Sequence, residues 1–195
     1  MKTVIIKYNA GNIRSVSFAL ERIGIEPIIT DDVNEILTAD KIIFPGVGEA
    51  SSAMNYLREK KLDDLIRELK QPVLGVCLGM QLMCSSSEEG NTICLGIFDQ
   101  KIKLFEKPKL KVPQIGWNTI FDLKTSLFKG IKEQEYQYFV HSYYTELGEN
   151  TIAKTNYEVD YSSALHKNNF YGVQFHPEKS GKFGEQILNN FLKIV

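Results

Sequence analysis

The chain has 195 residues, of which 43% are hydrophobic and 24% charged, enough to bury the core of one compact α/β domain. Its 23 basic and 24 acidic residues are intermixed, so no face is basic enough to hold a phosphate backbone, and we expect no nucleic-acid partner. The first apolar run, residues 4–6, is too short for a signal peptide or a membrane span, which indicates a cytoplasmic protein with no membrane partner.

In the first half of the chain, short β-branched runs alternate with segments of helical period. Strands are predicted at residues 4–6, 28–29, 41–44 and 73–76, with helices between them, the first running from a cap at Asn12 to Gly24. Parallel strands need such crossover helices, so the alternation predicts a mostly parallel, twisted sheet flanked by helices. In sheets of this kind, functional groups gather at the carboxyl ends of the strands.

In the second half, the predicted strands are shorter and richer in aromatic residues. They cover residues 101–105, 136–144, 163–165 and 170–175, with a turn at residues 167–169 before the last of them. We expect these strands to be antiparallel additions to the same sheet, followed by a helix from about Lys182. Because no linker, repeat or low-complexity tract interrupts the chain, residues 1–195 are expected to form a single domain.

One of the three cysteines, Cys77, lies between Gly75 and Gly79, where the fourth predicted strand ends and a helix begins. This is the arrangement of a nucleophile elbow with cysteine in place of serine, in which glycines permit the sharp turn and the helix N-terminus favours the thiolate. The following amide, of Leu78, can point the same way and hold an oxyanion. Free cysteines are often buried and inert, so this motif alone leaves packing and catalysis equally open.

The segment His176-Pro177-Glu178 supplies the partners that a cysteine nucleophile needs. Proline fixes the local backbone, so His176 and Glu178 can project to the same side, where the carboxylate orients the imidazole that exchanges protons. The alternative is a surface turn with a solvated Glu178. We favour catalysis, because Cys77, His176 and Glu178 all follow predicted strands.

The remaining histidines and cysteines carry weaker signals. His141 alternates with apolar residues, which fits either a histidine at the edge of the core or a substrate contact. Cys84 and Cys94 are expected to pack, and an odd number of cysteines leaves at least one thiol free. No histidines have the spacing of metal ligands, so neither a metal nor another cofactor is expected.

The cysteine motif and the His-Pro-Glu segment resemble those of the class I, triad-type glutamine amidotransferases, which hydrolyse the side-chain amide of glutamine. The matching stretches, in family order, are residues 8–12, 45–48, 75–81, 116–118, 138–143 and 176–181, so the resemblance extends over almost the whole chain. One position departs from the pattern, since Gln114 stands where histidine is common. The resemblance implies the flavodoxin-like α/β fold of the class I glutamine amidotransferases.

The resemblance also implies a role for each matching residue. Cys77 would be the nucleophile, His176 the general acid and base, and Glu178 its carboxylate partner. Backbone amides near Val47 and Leu78 would hold the oxyanion. The positions expected to contact substrate are Gly46, Gln81, Ser142 and Tyr143, and those expected at the partner interface and ammonia passage are Asn12, Tyr138 and Lys179.

Two of these implications have a physical qualification. The alternative for Tyr138 is an aromatic at the edge of the core, and for Lys179 it is a solvated lysine, which residue type alone favours. Val47 replaces the glycine usual in relatives, and a β-branched residue resists positive φ. We therefore expect the Val47 amide to point away from the oxyanion until a partner docks.

Within the family, the chain resembles most those glutaminases that pass ammonia to a (β/α)8 cyclase, which makes imidazole glycerol phosphate in histidine biosynthesis. The resemblance thus implies L-glutamine as substrate and a heterodimer with that cyclase subunit. The alternatives are a glutaminase subunit feeding a sugar-amidating synthase and a cysteine hydrolase that acts alone. A flavodoxin-like binding module has less support, because residues 9–12 are not the glycine-rich phosphate loop that it needs.

Overall fold

The computed structural model describes residues 1–9, 11–106 and 111–194. Ala10 of the family-like stretch 8–12, and residues 107–110 and 195 of the expected domain, lie outside the described residues. Within the described ranges the chain forms thirteen strands: β1 (Thr3–Ile6), β2 (Ile28–Thr30), β3 (Lys41–Phe44), β4 (Val73–Val76), β5 (Ser86–Ser87), β6 (Thr92–Ile93), β7 (Lys101–Leu104), β8 (Gln114–Ile120), β9 (Glu135–His141), β10 (Tyr143–Thr145), β11 (Thr151–Tyr157), β12 (Val159–Lys167) and β13 (Phe170–Val173). The same ranges contain six α-helices: α1 (Ile13–Arg22), α2 (Val33–Leu37), α3 (Ala50–Glu59), α4 (Leu62–Glu68), α5 (Leu78–Met83) and α6 (Gly181–Leu192).

Eleven strands form one mixed sheet, and its parallel half carries the candidate site. The order across the sheet is β2-β1-β3-β4-β13-β12-β10-β7-β5-β6, with β11 paired to β12 outside this path. The strands from β2 to β13 are all parallel, as the alternation in the first half of the chain predicts. From β13 to β6 the pairings are antiparallel, except that β5 and β7 are parallel.

The parallel strands are buried on both faces because helices cover each face. Along β1, Val4 and Ile6 pack in the core beneath α3, α4 and α5, whereas Ile5 packs in the opposite core with α1 and α6. Successive side chains of a strand point to opposite faces, so these short apolar runs supply two cores at once. None of the six helices in the described ranges combines the length and the hydropathy that a bilayer span requires.

Three expectations for the second half of the chain are wrong in detail. β13 is not an antiparallel addition, since it lies between β4 and β12 and is parallel to β4. β8 and β9 form a separate two-stranded sheet. The strand expected at residues 136–144 is broken at Ser142, where β9 ends in the small sheet before β10 begins in the large one. The turn at residues 167–169 fixes the pairing of β13 with β12, but tertiary packing decides the neighbour on its other edge.

Asn12 precedes α1 as expected, but it does not cap the helix. Its φ of 72° is left-handed, and its side chain makes no hydrogen bond to the first turn. The side-chain amide donates instead to the carboxylate of Glu178. The capping prediction is therefore wrong: a capping side chain accepts through its oxygen from an extended backbone, whereas Asn12 is left-handed and its side chain is fixed on Glu178 through its NH₂ group.

Candidate active site

Cys77 lies at a sharp corner between β4 and α5, as the nucleophile-elbow motif predicts. Its φ of 53° and ψ of −111° lie outside the ordinary helical and extended regions, which costs a residue with a side chain free energy. Its backbone N–H donates to the carbonyl of Val173 at 2.8 Å, which ties the corner to the end of β13. The strained corner is thus held by the adjacent parallel strand.

The corner needs glycine on both sides of the cysteine because neighbouring groups come too close for a side chain. A β-carbon on Gly79 would overlap the backbone carbonyl of Phe44. One on Gly75 would overlap the side chain of Met83 and lie 2.8 Å from the amide of Met80. The G-x-C-x-G spacing is therefore a packing requirement of this corner.

His176 and Glu178 follow β13 and form a buried pair. Nδ1 of His176 lies 2.7 Å from Oε1 of Glu178, and both side chains are fully buried. Asn12 donates to the same carboxylate oxygen. Nε2 of His176 is buried and has no hydrogen-bond partner among the described residues, so this nitrogen is available to a reacting group. Glu178 is not solvated, which removes the surface-turn alternative.

The electrostatic environment favours the charged form of His176. Burial alone would lower the pKa of this imidazole, but the proximity of Cys77, and then that of Glu178, raises it to about 10. A proton is thereby held on His176 at neutral pH.

Gln174, which sequence analysis did not single out, joins Cys77 to a substrate-binding position. Its Nε2 donates to the Cys77 sulfur at 3.7 Å, and its Oε1 accepts from Nε2 of Gln81 at 2.8 Å. Gln81 also donates to the backbone carbonyl of Tyr143 at 3.0 Å. Both N–H groups of Gln81 are thus committed, which leaves its side-chain oxygen for a ligand. A polar residue just after an apolar strand was the available sequence signal.

The two amides expected to hold the oxyanion are not presented together. The N–H of Leu78 donates to the carbonyl of Gly46 at 3.2 Å. A trans peptide points its C=O and N–H in opposite directions, so the Val47 N–H of that peptide faces away from Leu78. The carbonyl of Val47 accepts in turn from the N–H of Gly11 at 3.4 Å.

A cavity of about 310 Å³ opens beside the cysteine. Its wall includes most positions expected to contact the oxyanion or the substrate: Val47, Cys77, Leu78, Gln81, Ser142 and Tyr143. Gly46 is not part of the wall, but its carbonyl accepts the hydrogen bond from Leu78, which is. His176 and Glu178 are buried outside it.

Glu89 also lines this cavity, and sequence analysis missed it. Its Oε2 accepts from the N–H of Ala50 at 2.8 Å, and burial raises its pKa while that hydrogen bond opposes the change. A carboxylate in the wall can bind the ammonium group of an amino acid. Its context, Glu88-Glu89-Gly90, looks like a solvated acidic turn and offered no signal.

His141 lies in the cavity wall and is held on both ring nitrogens. Nδ1 lies 2.7 Å from the carbonyl of Tyr143, and Nε2 lies 3.3 Å from the hydroxyl of Tyr161. That hydroxyl is 3.0 Å from the side-chain amide of Gln114. Burial lowers the pKa of His141 to about 4 against the hydrogen bond to Tyr143, so the ring is neutral at pH 7.

The positions expected at a partner interface surround the buried pair. Asn12 bonds Glu178, and the carbonyl of Tyr138 accepts the backbone N–H of His176 at 2.8 Å. Nζ of Lys179 lies 5.9 Å from the centre of the Tyr138 ring. Beside them, the outer face of the β8–β9 sheet exposes three large apolar side chains: Ile115, Trp117 and Tyr136. An exposed apolar area of this kind is typical of a protein interaction site.

The other two cysteines are buried in the core with α5, and all three are free thiols. Burial raises the pKa of Cys94 to about 11 and that of Cys84 higher still, so both remain protonated. The packing role expected for them is confirmed.

Similar proteins point to one family. A family model described as "Glutamine amidotransferase class-I" matches residues 5–195. The "Imidazole glycerol phosphate synthase subunit HisH" of Bacteroides fragilis is 58% identical over 100% of both chains. The protein of the same name from Haemophilus influenzae is 48% identical over 98% of this chain and 96% of its own.

Solved structures share the fold at much lower identity. A Thermoplasma acidophilum protein described as part of a GMP synthase has a TM-score of 0.76 at 18% identity and covers 98% of this chain and 92% of its own. A structure described as a glutamine amidotransferase has a TM-score of 0.76 at 19% identity, with 97% of both chains covered. These likenesses confirm the expected α/β fold and nothing more.

Proposed function

Because the chain belongs to the class I glutamine amidotransferase family, we propose that it is the glutaminase subunit of an imidazole glycerol phosphate synthase, with residues 1–195 acting as one domain. Identity of 58% over the full length of the Bacteroides fragilis protein supports the assignment. In this function, glutamine is hydrolysed to glutamate and ammonia. A (β/α)8 cyclase partner then uses the ammonia to make imidazole glycerol phosphate in histidine biosynthesis.

The observation that carries the proposal is the convergence of two strand ends beside one cavity. Cys77 occupies a strained corner after β4, and the buried His176–Glu178 pair follows the adjacent strand β13. The cavity of about 310 Å³ has room for a single amino acid. A nucleophile, a base and the group that orients the base are the parts that amide hydrolysis by cysteine requires.

In the first half of the reaction, the thiolate of Cys77 attacks the side-chain amide carbon of glutamine, and the carbonyl electrons move to the oxygen. His176, whose pKa is raised, donates its proton to the amide nitrogen as the C–N bond breaks. Ammonia leaves, and a thioester remains on Cys77. Glu178 and Asn12 keep the imidazole from rotating during this transfer.

The second half regenerates the enzyme. Neutral His176 accepts a proton from water as the water oxygen attacks the thioester, and the C–S bond breaks to release glutamate and the thiolate. His176 is again an imidazolium, and the new side-chain carboxyl group of glutamate loses its proton to solvent, so one proton is released per cycle. The Glu89 carboxylate and the free oxygen of Gln81 provide acceptors for the α-ammonium group of glutamine.

Control of the oxyanion site supports a subunit that works with a partner. The N–H of Leu78 is occupied by the Gly46 carbonyl, so an oxyanion would have to displace that carbonyl. Rotation of the Gly46–Val47 peptide would free Leu78 and turn the Val47 N–H to the same point. We assign this rotation to partner docking, which disfavours a cysteine hydrolase acting alone.

The exposed face of the β8–β9 sheet supports the position of the partner. It adjoins the cavity through Val140, which follows Tyr138 on β9 and lines the wall. A cyclase docked over Trp117 and Tyr138 would cover the region next to His176, where ammonia is released. A covered, water-poor passage keeps ammonia unprotonated and prevents its loss to solvent.

The test is purification of the full chain from its native cell, identification of the bound protein, and measurement of glutamate release by the complex. A (β/α)8 cyclase and glutamate release that increases with the cyclase substrate would support the proposal, and the complex carrying Cys77→Ser should be inactive. A sugar-amidating synthase as the bound protein would contradict it. Full turnover by the isolated chain would favour the hydrolase alternative.

A further inference from the structure

The cavity wall contains a chain of hydrogen-bonding groups that the catalytic steps above do not use. It runs from Gln114 through Tyr161 and His141 to the backbone carbonyl of Tyr143. The side chains are 3%, 0% and 7% exposed, respectively. Buried polar groups are costly when unsatisfied, so the available protons determine the direction of each bond.

The direction at His141 follows from its two partners. A carbonyl can only accept, so the nitrogen 2.7 Å from the Tyr143 carbonyl, Nδ1, must carry the ring proton. Burial lowers the pKa of His141 to about 4, which leaves a single ring proton at neutral pH. Nε2 is then a lone pair, and the Tyr161 hydroxyl at 3.3 Å must donate to it.

The orientation of Gln114 follows in turn. Tyr161 has one hydroxyl proton, which cannot serve both His141 and an oxygen of Gln114. The Gln114 amide, 3.0 Å away, must therefore turn its NH₂ group to the Tyr161 oxygen. The structure places Oε1 of Gln114 there and leaves its buried Nε2 without a partner, but the two ends of an amide are interchangeable and orphaned donors are rarer than orphaned carbonyls, so we assign the reversed orientation.

We infer that Gln114 and Tyr161 are positioning residues for glutamine binding, which act by holding Nε2 of His141 so that its Nδ1–H stays on the Tyr143 carbonyl. In that form, His141 donates to the Tyr143 carbonyl, which also accepts from Gln81. The carbonyl has two lone pairs, and the two donors together fix the cavity wall and the Gln81 side chain. The inference rests on the proposed glutaminase function, because its effect is on the binding of glutamine.

The tautomer can be measured by nitrogen-15 NMR of the full chain, which has three histidines and therefore a simple spectrum. We expect wild-type His141 to carry its proton on Nδ1. Tyr161→Phe removes the donor to Nε2, so the nitrogen-15 signal of this unprotonated nitrogen should shift, whereas Nδ1 keeps its proton against the Tyr143 carbonyl. Tyr157→Phe is the matched control, because its hydroxyl bonds the carbonyl of Lys111 at 2.7 Å although its ring contacts the same Phe105.

Kinetics of the complex with its partner give the second readout. Tyr161→Phe should raise the KM for glutamine about tenfold and change kcat less than about threefold, because lost ground-state binding appears in KM. Gln114→Leu should have a smaller effect, since Tyr161 can still donate to His141. Gln114→His keeps an N–H donor and should have the wild-type KM for glutamine. The control Tyr157→Phe should also have the wild-type KM.

A wild-type His141 protonated on Nε2, or a Tyr161→Phe variant with an unchanged Nε2 signal and an unchanged KM, would overturn the inference. Equal losses of kcat in Tyr161→Phe and Tyr157→Phe would also overturn it, since they indicate general destabilisation. If the wild-type complex hydrolyses no glutamine, the proposed function fails and the inference fails with it. The assay of the wild-type complex, made before any variant is compared, therefore separates failure of the proposed function from failure of the inference alone.

Discussion

The chemistry of single residues in this site depends on their immediate neighbours. One oxygen of Glu178 is close to both His176 and Asn12, and the imidazole lies between this carboxylate and Cys77. His176 would transfer protons, whereas Glu178 would only orient and stabilise the ring that does so. Substitution of His176 should therefore lower the rate of glutamine hydrolysis more than substitution of Glu178.

Replacement of the two residues tests this division of roles. His176→Ala removes the proton carrier and should lower kcat by about 10³-fold or more, whereas Glu178→Gln keeps an acceptor for Nδ1 and should lower it by about 10- to 100-fold. The measurement is glutamate release by folded variants with saturating partner and acceptor. Glu185→Gln, at an exposed ion pair with Arg22, is the control and should have wild-type activity. Equal losses for His176 and Glu178 would show that the role of the carboxylate is misassigned.

At the scale of helices and strands, the local sequence predicted the bounds of the elements better than it predicted which strands pair with each other. The predicted bounds of β1, β3 and β4 lie within one residue of those observed, because each is a short apolar run closed by a turn or a loop. The parallel partner of β13 and the separation of the β8–β9 sheet depend on contacts far apart in the chain. No local pattern encodes such contacts.

The same limit applies to the site. The positions of Cys77, His176 and Glu178 could be predicted, since each follows a strand and belongs to a motif. Gln174 and Glu89 were missed because their roles depend on which groups the fold brings within 4 Å of them. The bond from Asn12 to Glu178 joins residues 166 positions apart and was likewise invisible in the sequence.

The loop after β3 is held at three consecutive carbonyls. The bonds run from the Tyr8 hydroxyl to Pro45 at 2.5 Å, from the Leu78 N–H to Gly46 at 3.2 Å, and from the Gly11 N–H to Val47 at 3.4 Å. Rotation of the Gly46–Val47 peptide breaks the second bond and moves Val47 toward positive φ. A β-branched side chain opposes that conformation, so Val47 adds to the barrier.

Val47→Gly should therefore make the isolated chain more active. Removing a positive-φ cost of about 1–2 kcal/mol should raise basal glutamate release about tenfold and lower the ratio of stimulated to basal rate. The measurement compares wild type and variant with and without partner and acceptor. If the isolated wild-type chain already turns over at its stimulated rate, control by this loop is refuted.

At the scale of the whole molecule, the proposed function places the site at the junction of two chains. The catalytic groups lie at the carboxyl ends of parallel strands, and an exposed aromatic face lies beside them on the β8–β9 sheet. In the proposed function, glutamine would enter the cavity next to Cys77, and ammonia would leave past Tyr138 toward the partner. The chain would then supply ammonia, and the acceptor chemistry would belong to the partner.

The most direct test of this division is the Cys77→Ala variant in complex with its partner, assayed for synthesis with glutamine and with ammonium salts. Because Cys77 would serve only to release ammonia, we expect glutamine-dependent synthesis to disappear and ammonium-dependent synthesis to continue at the wild-type rate. Loss of both activities in a folded, partner-bound complex would contradict the account, as would glutamine-dependent synthesis that survives the substitution.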